Sequence, residues 1–396
     1  MARGDGSRGI TAGLGVAKAA ARRLGQRTDG RMTAKWGTVS LVMLISGSPA
    51  QAYDVNESLS VGLVLAGAMQ CQRPSGGGAA DDECRGAAPV QPELSFRPSQ
   101  DDELFFKLGF AAGNALNETS PFLLAPWAAY LKDNVKNLNG RNRDHLLVAR
   151  YKHAFWSQDD SGFGVTLGIL DSTDYLDGSE YANDEYTQFM NEAFVNSGGY
   201  NLPSYDAGAA VEWGDGGWSA NAMAMSIGEN DDGNHFGFWG VQAARRVQTT
   251  MGTGNYRVLL AGTTGQFLDA QGTDKKRRLG WGVSFDQAFG ETVGGFLRLT
   301  WQTDDAAVDY KAIYSGGLNL SGSKWGRPPD NVGIGYAYLD GGNLDVERTQ
   351  VAEVYYRFAV NDYLSLTSDI QYMADDYRNA PTIRGWVVGL RAMAMF

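Results

Sequence analysis

From Leu59 to the end of the chain, apolar and polar residues alternate with a period of two, in runs separated by clusters of Gly, Asp and Asn. That period is the mark of a β-strand with one apolar face. The stretch 385–396 shows it most plainly. Trp386, Val388, Leu390, Ala392, Ala394 and Phe396 share one face, and Val387, Gly389, Arg391, Met393 and Met395 the other. An apolar strand ending on an aromatic residue is an exposed, aggregation-prone edge unless another strand covers it. Closure of the sheet into a barrel removes that edge.

Fifteen clear runs follow this pattern: 59–70, 104–112, 145–156, 163–170, 205–213, 218–227, 235–247, 256–264, 279–287, 293–302, 310–320, 332–339, 349–360, 364–373 and 385–396. Two weaker ones, Leu94–Arg97 and Gln188–Phe194, bring the count to seventeen. An odd number would leave the termini on opposite sides of a membrane. One weak run is therefore expected to be false, and the fold is an all-β, antiparallel transmembrane barrel of sixteen strands.

Parity assigns the faces. Ala352, Val354, Tyr356, Phe358 and Val360 oppose Glu353, Tyr355 and Arg357; Leu364, Leu366, Ile370 and Tyr372 oppose Ser365, Thr367, Asp369 and Gln371. Asn361-Asp362 joins these two runs in a tight hairpin. Leu297, Leu299 and Trp301 oppose Phe296, Arg298 and Thr300, and Tyr256, Val258 and Leu260 oppose Arg257. A soluble sandwich would alternate in the same way with its apolar face inward. The strand count, Phe396 and the N-terminus favour the barrel.

At the N-terminus, residues 1–31 are rich in Arg, Ala and Gly and show no trusted element. Met32, Lys35, the apolar run Trp36–Ile45 and Ala50-Gln-Ala52 have the order of a secretory signal peptide. The expectation is an extension at 1–31 outside the mature protein, a signal peptide at 32–52 and a barrel at 53–396. One segment departs from strand periodicity. In Ser120–Gly140, Trp127, Leu131, Val135 and Leu138 have helical spacing before Gly140, so a short helix is expected in an early long loop, folded into the mouth or packed on the rim.

Composition adds detail. The 52 glycines among 396 residues suit many turns and close strand packing. The whole chain carries 34 basic and 45 acidic groups, a net −11; without the eight basic and two acidic groups of 1–52, 26 basic and 43 acidic remain, a net −17. That balance argues against a nucleic-acid partner. Cys71 and Cys84, in an exported protein, are expected to close a disulfide loop. With three His and two Cys, no metal or cofactor is expected. G-x-S-x-G, H-E-x-x-H and P-loop motifs are missing, so the protein is not expected to be an enzyme. A barrel enzyme or adhesin is the minor alternative.

Several motifs carry a resemblance. They are Asn139-Gly-Arg-Asn-Arg-Asp144, Gly168-Ile-Leu-Asp171, Gln188–Phe194, Tyr314–Gly322, Trp325-Gly-Arg-Pro328 with Asp330, Val360–Thr367 and Val387–Arg391 leading to Phe396. In order and spacing the chain resembles the carbohydrate-selective porins of Gram-negative outer membranes. The resemblance implies a sixteen-stranded barrel passing monosaccharides through an eyelet of charged and aromatic side chains. Ile169 stands where a basic residue would be expected, so the family's eyelet chemistry does not transfer whole.

Sugars are neutral, hydroxyl-rich and have apolar ring faces, so a selective pore needs donors, acceptors and aromatics. By parity the lumen candidates are Lys107, Arg150, Lys152, Arg257, Phe296, Arg298, Glu353, Tyr355, Arg357 and Asp369. The pair Phe296 and Arg298 and the ladder Glu353-Tyr355-Arg357 combine charge with an aromatic. The expected function is passive uptake of small carbohydrates; the alternative is a nonspecific or cation-preferring porin. The expected surroundings are outer-membrane lipid and lipopolysaccharide, whose phosphates could meet Lys275-Lys-Arg-Arg278, and the barrel assembly machinery, through Phe396. The acidic loop Glu229–Gly233 is read as solvated charge.

Overall fold

A computed structural model describes residues 52–77, 81–158 and 161–396. The extension 1–31 and all of the expected signal peptide but Ala52 lie outside them. In chain order the strands are β1 (Tyr53–Asn56), β2 (Leu59–Gly76), β3 (Glu83–Phe96), β4 (Asp102–Leu108), β5 (Phe110–Ala112), β6 (Leu146–Gln158), β7 (Ser161–Leu170), β8 (Asp206–Asp215), β9 (Trp218–Ile227) and β10 (Phe236–Thr249). They continue with β11 (Gly252–Thr263), β12 (Phe267–Leu268), β13 (Lys275–Lys276), β14 (Leu279–Phe289), β15 (Val293–Gln302), β16 (Tyr310–Ser321), β17 (Asn331–Gly341), β18 (Val346–Ala359), β19 (Leu364–Tyr377) and β20 (Ile383–Met395).

All but the small β12–β13 hairpin belong to one antiparallel sheet. β4 and β5 form a single stave interrupted at Gly109, since both pair with β3. β1 pairs with the start of β2 and so prolongs the stave of β20. The result is a closed barrel of sixteen staves, as the alternation predicts. Closure is made by β2 and β20, in register from Val64↔Met395 to Gly76↔Ile383. The terminal residue completes it: Phe396 N donates to Leu63 O at 3.0 Å, and Leu63 N donates to Phe396 O at 3.1 Å. The expected edge is thereby covered.

The two weak runs resolve differently. Leu94–Arg97 is the end of the long strand β3, whereas Gln188–Phe194 is not a strand and lies in the 171–205 loop. Cys71 and Cys84 face each other across β2 and β3 and form a disulfide, Cα to Cα 4.0 Å. The β18–β19 hairpin is held by Asn361, whose Oδ1 accepts from the backbone N–H groups of Tyr363 and Leu364 at 2.9 and 2.8 Å.

The helix expected in 120–140 is corrected. That stretch is irregular up to a 3-10 turn at its end, Leu138–Gly140, after another at Ala115–Glu118, and among the described residues the one α-helical turn is α1 (Glu192–Val195) in the later loop. Pro121 and Pro126 deprive the run of donors. Its backbone groups find distant partners instead: Ala128 N donates to Met190 O, Lys132 N to Gly113 O and His145 N to Val135 O. Trp127, Ala128, Ala129 and Leu131 are buried on every side, where an amphipathic helix would bury one stripe.

Short turns and both ends of the barrel sheet share one rim; long loops share the other. Outward aromatics mark both rims: Trp156, Trp213 and Trp218 near the short turns, Trp239, Trp281 and Trp386 near the long loops. Between them Leu65, Val258, Leu297, Ile334, Val354, Leu366 and Ile370 face outward and exposed, while their strand neighbours turn inward.

Candidate functional site

Parity, not local sequence, places the inner wall. Eight of the ten lumen candidates, Lys107, Arg150, Arg257, Phe296, Arg298, Glu353, Tyr355 and Asp369, are buried inside the barrel. Lys152 and Arg357 are half-buried on the same face. What buries them is chain: the loops 113–145 and 171–205 fold into the lumen from the long-loop rim. A charge facing that interior needs a partner, and each anchor described here finds one.

The 171–205 loop is fixed around the barrel. Arg298 Nε donates to Asp177 Oδ1 at 2.8 Å, and its Nη atoms donate to the carbonyls of Asp177, Ala182 and Phe194. Glu353 accepts from the backbone N–H groups of Met190 and Asn191 at 2.5 and 3.0 Å. Arg391 donates to the carbonyls of Glu185 and Gln188 at 2.6 and 2.9 Å. Asp286 accepts from Ser179 Oγ and Glu180 N. Phe189 and Phe194 pack against Phe296 and Tyr355, with Phe189 edge-on to Tyr355 at 5.0 Å. A Cβ on Gly280 would lie 2.0 Å from Gly199 O, so glycine is needed where the loop touches β14. The two loops also clasp each other: Glu192 N donates to Ala125 O, and Ala125 N to a Glu192 carboxylate oxygen.

Arg298, Phe296, Glu353 and Tyr355 are thus brought together, but as the seat of the loop. Arg298 and Tyr355 are each at most 1 % exposed. Asp369 lies beside them and accepts from Gln371 Nε2 at 2.8 Å. Within the loop, burial raises the Asp177 carboxyl above the ordinary range despite the pull of Arg298, and burial pushes Glu192 up to about 7.

The wall also carries ion pairs, of which Arg257–Asp286 adjoins the loop seat through Ser179 and Glu180. Lys107 Nζ lies 2.7 Å from Glu93, Lys152 Nζ 2.6 Å from Glu212, and Arg257 Nη1 2.6 Å from Asp286. Arg150 stands 3.8 Å from Glu103, with Phe105 beneath its guanidinium at 4.8 Å. Arg357 donates to Pro329 O near the short turns. Tyr355 Oη accepts from Asn319 and Asn331 at 3.1 and 2.9 Å.

The partners Glu212, Asp286 and Arg391 were equally readable by strand parity, yet none stood among the candidates; Glu93 precedes the Leu94–Arg97 run and had no parity to read. Asp177 carried no periodic signal, because its loop has none. The basic run at 275–278 does not present four outward cations. Lys275 donates to Asn234 and Gln266, Lys276 pairs with Asp274, and Arg278 lies over the Phe267 ring at 4.4 Å.

A closed sixteen-stave barrel with aromatic rims, an apolar outer wall and a charged interior crossed by infolded loops defines an outer-membrane porin. The chain belongs to the carbohydrate-selective porin, OprB family, whose profile matches residues 111–396. Its fold is similar to that of Pseudomonas putida OprB in the high-pH structure: TM-score 0.66, 16% identity, 86% of this chain and 94% of that one. The DcaP outer-membrane channel of Acinetobacter baumannii is also similar, with TM-score 0.51, 11% identity, and 87% and 99% of the two chains covered. An uncharacterized protein of Aquifex aeolicus (strain VF5) is 29% identical over 315 residues, 78% of this chain and 88% of that one.

Proposed function

We propose that the protein is a passive channel admitting small neutral carbohydrates of monosaccharide size into the periplasm. The observation that carries this is the pairing of opposite charges along the inner wall, Lys107 with Glu93, Lys152 with Glu212 and Arg257 with Asp286. A sugar hydroxyl both donates and accepts, so a wall offering guanidinium or ammonium beside carboxylate matches it. Because each pair is close to neutral, it sets up little field to concentrate ions of one sign. Weak, repeated contacts of this kind let a solute enter and leave.

The cation-preferring alternative draws on the net −17 left beyond residue 52. It would need acids open to the lumen without basic neighbours; the wall acids Glu93, Glu212 and Asp286 each have one, and Glu353 is covered by the 171–205 loop, whose backbone N–H groups it accepts from. The test is single-channel conductance of the refolded barrel in a planar bilayer with added glucose. Current that falls saturably with glucose is expected. Current indifferent to glucose, with a strong cation reversal potential, would replace this reading by the alternative.

A further inference from the structure

At the long-loop rim a cavity of about 220 Å³ lies between the two infolded loops and the β9–β10 and β11–β14 connections, outside the loop seat and the ion-paired wall. Two core clusters meet there. One contributes Tyr130 and Tyr205, with ring centroids 4.6 Å apart; the other contributes Phe236 and Phe267, 4.9 Å apart. Arg278 stands beside the second cluster. Its guanidinium lies over Phe267, Nη1 donates to Asn201 Oδ1 at 3.0 Å, and Nη2 donates to Ala307 O at 2.8 Å. Glu229, on the rim, extends across Gly140, where any Cβ would collide with its carboxylate.

Two polar atoms of this lining lack partners. Tyr205 is 1% exposed and its hydroxyl makes no hydrogen bond; Arg278 Nε is likewise buried and unmatched. Buried donors are rarely left so. Here both belong to residues that line the same cavity, between aromatic rings. Rings supply the surface that sugar ring faces stack on, and the orphan donors supply what hydroxyls complete. The volume is below that of cavities for drug-sized ligands, which restricts the occupant to one ring.

We infer that this cavity is a capture site for a single-ring neutral sugar or polyol at the external mouth, filled before the solute reaches the ion-paired wall. The inference rests on the carbohydrate-channel reading and adds a location and a size limit to it. Glucose would be held by aromatic contact with Phe236 and Phe267, and its hydroxyls would engage Tyr205 Oη and Arg278 Nε.

The experiment measures the apparent glucose dissociation constant from current interruptions through the full refolded chain, with maltotriose as a three-ring comparison. Tyr205→Phe removes an unpartnered hydroxyl and breaks no hydrogen bond of the fold, so it is the first variant; Phe267→Leu is the second. Tyr205→Phe is expected to weaken glucose about tenfold, the factor one hydrogen bond carries. Phe267→Leu is expected to weaken it at least as much, and maltotriose to bind more weakly than glucose in the wild type. Equal glucose constants in the wild type and both variants would overturn the capture site and leave the channel reading standing. No interruption by glucose in any of them would overturn both.

Discussion

Arg298 and Asp177 meet at 2.8 Å inside the barrel although 121 residues separate them in the chain. One comes from the mid-wall of β15 and the other from the loop between β7 and β8. Both are fully buried, so removing either leaves a charge without its partner. Such a loss costs about 3–5 kcal/mol. Arg298→Met is expected to destabilise the barrel toward urea by that order and to make the channel current noisier as the loop loses its anchor. Arg298→Met with Asp177→Leu should recover part of the stability, since the stranded carboxylate is gone. A quiet current and an unchanged unfolding midpoint in Arg298→Met would show that the pair does not hold the loop.

The short-turn rim contains a pH-dependent latch. Asp330 accepts from Arg327 Nε at 2.6 Å, Tyr356 Oη at 2.6 Å and Ala359 N at 2.9 Å. Burial would raise its carboxyl, but these donors prevail and hold it down at about 2. A lowered folded value stabilises above the unfolded carboxylate range near 4, and that stability is lost as pH falls from 4 toward 2. Because Arg327 is partly open to solvent, screening trims the contribution to about 1–2 kcal/mol. Trp325, 6.2 Å from the Tyr356 ring, reports on the turn. Its fluorescence should change between pH 4 and 2 in the wild type and be flat in Asp330→Asn. A titration of the same size in both would assign the change to other groups.

What the sequence displayed follows from which physics was local. The outward and inward faces were legible because a strand against lipid must alternate, so Val354 and Glu353 declare opposite sides without any knowledge of the fold. The seam was legible because Phe396 needs a neighbour. β3 was visible only at its end, since Pro89 and Pro92 argue against a strand, and the break at Gly109 opposite them could not be foreseen. Gln188–Phe194 alternates as a strand does, yet Phe189 and Phe194 point to the same aromatic cluster. The role of Arg298 was the least legible: parity turned it inward, but only the tertiary path of the 171–205 loop brings Asp177 to it.

The disulfide tests how much closure depends on covalent help. Cys71 and Cys84 are paired directly across β2 and β3, the first hairpin of the barrel, at its long-loop end. Closing a loop of this length restricts the unfolded chain by about 3 kcal/mol. Reduction, or the Cys71→Ser Cys84→Ser variant, is expected to lower the free energy of unfolding by at most that amount. Conductance should stay the same, because both side chains lie on the outer face, away from the wall. A changed conductance would show that the hairpin shapes the lumen.

Leu297 and Arg298 are adjacent in β15 and face opposite sides of the wall, which permits a direct test of the membrane reading. Leu297 is 42% exposed at the middle of the strand, among outward apolar residues. In lipid that exposure is to acyl chains, and an arginine at mid-membrane depth costs about 2–4 kcal/mol. On a water-facing surface the same substitution would fall within about 0.5 kcal/mol of neutral. Leu297→Arg is therefore expected to reduce stability in lipid vesicles by about 2–4 kcal/mol, with the lumen untouched and glucose binding as in the wild type. Near-neutral behaviour in vesicles would mean that this face does not lie against the acyl chains. Phe296→Leu, one residue earlier on the inner face, should do the reverse: a core loss of about 1 kcal/mol that is the same in vesicles and in detergent, because its surroundings are protein in both.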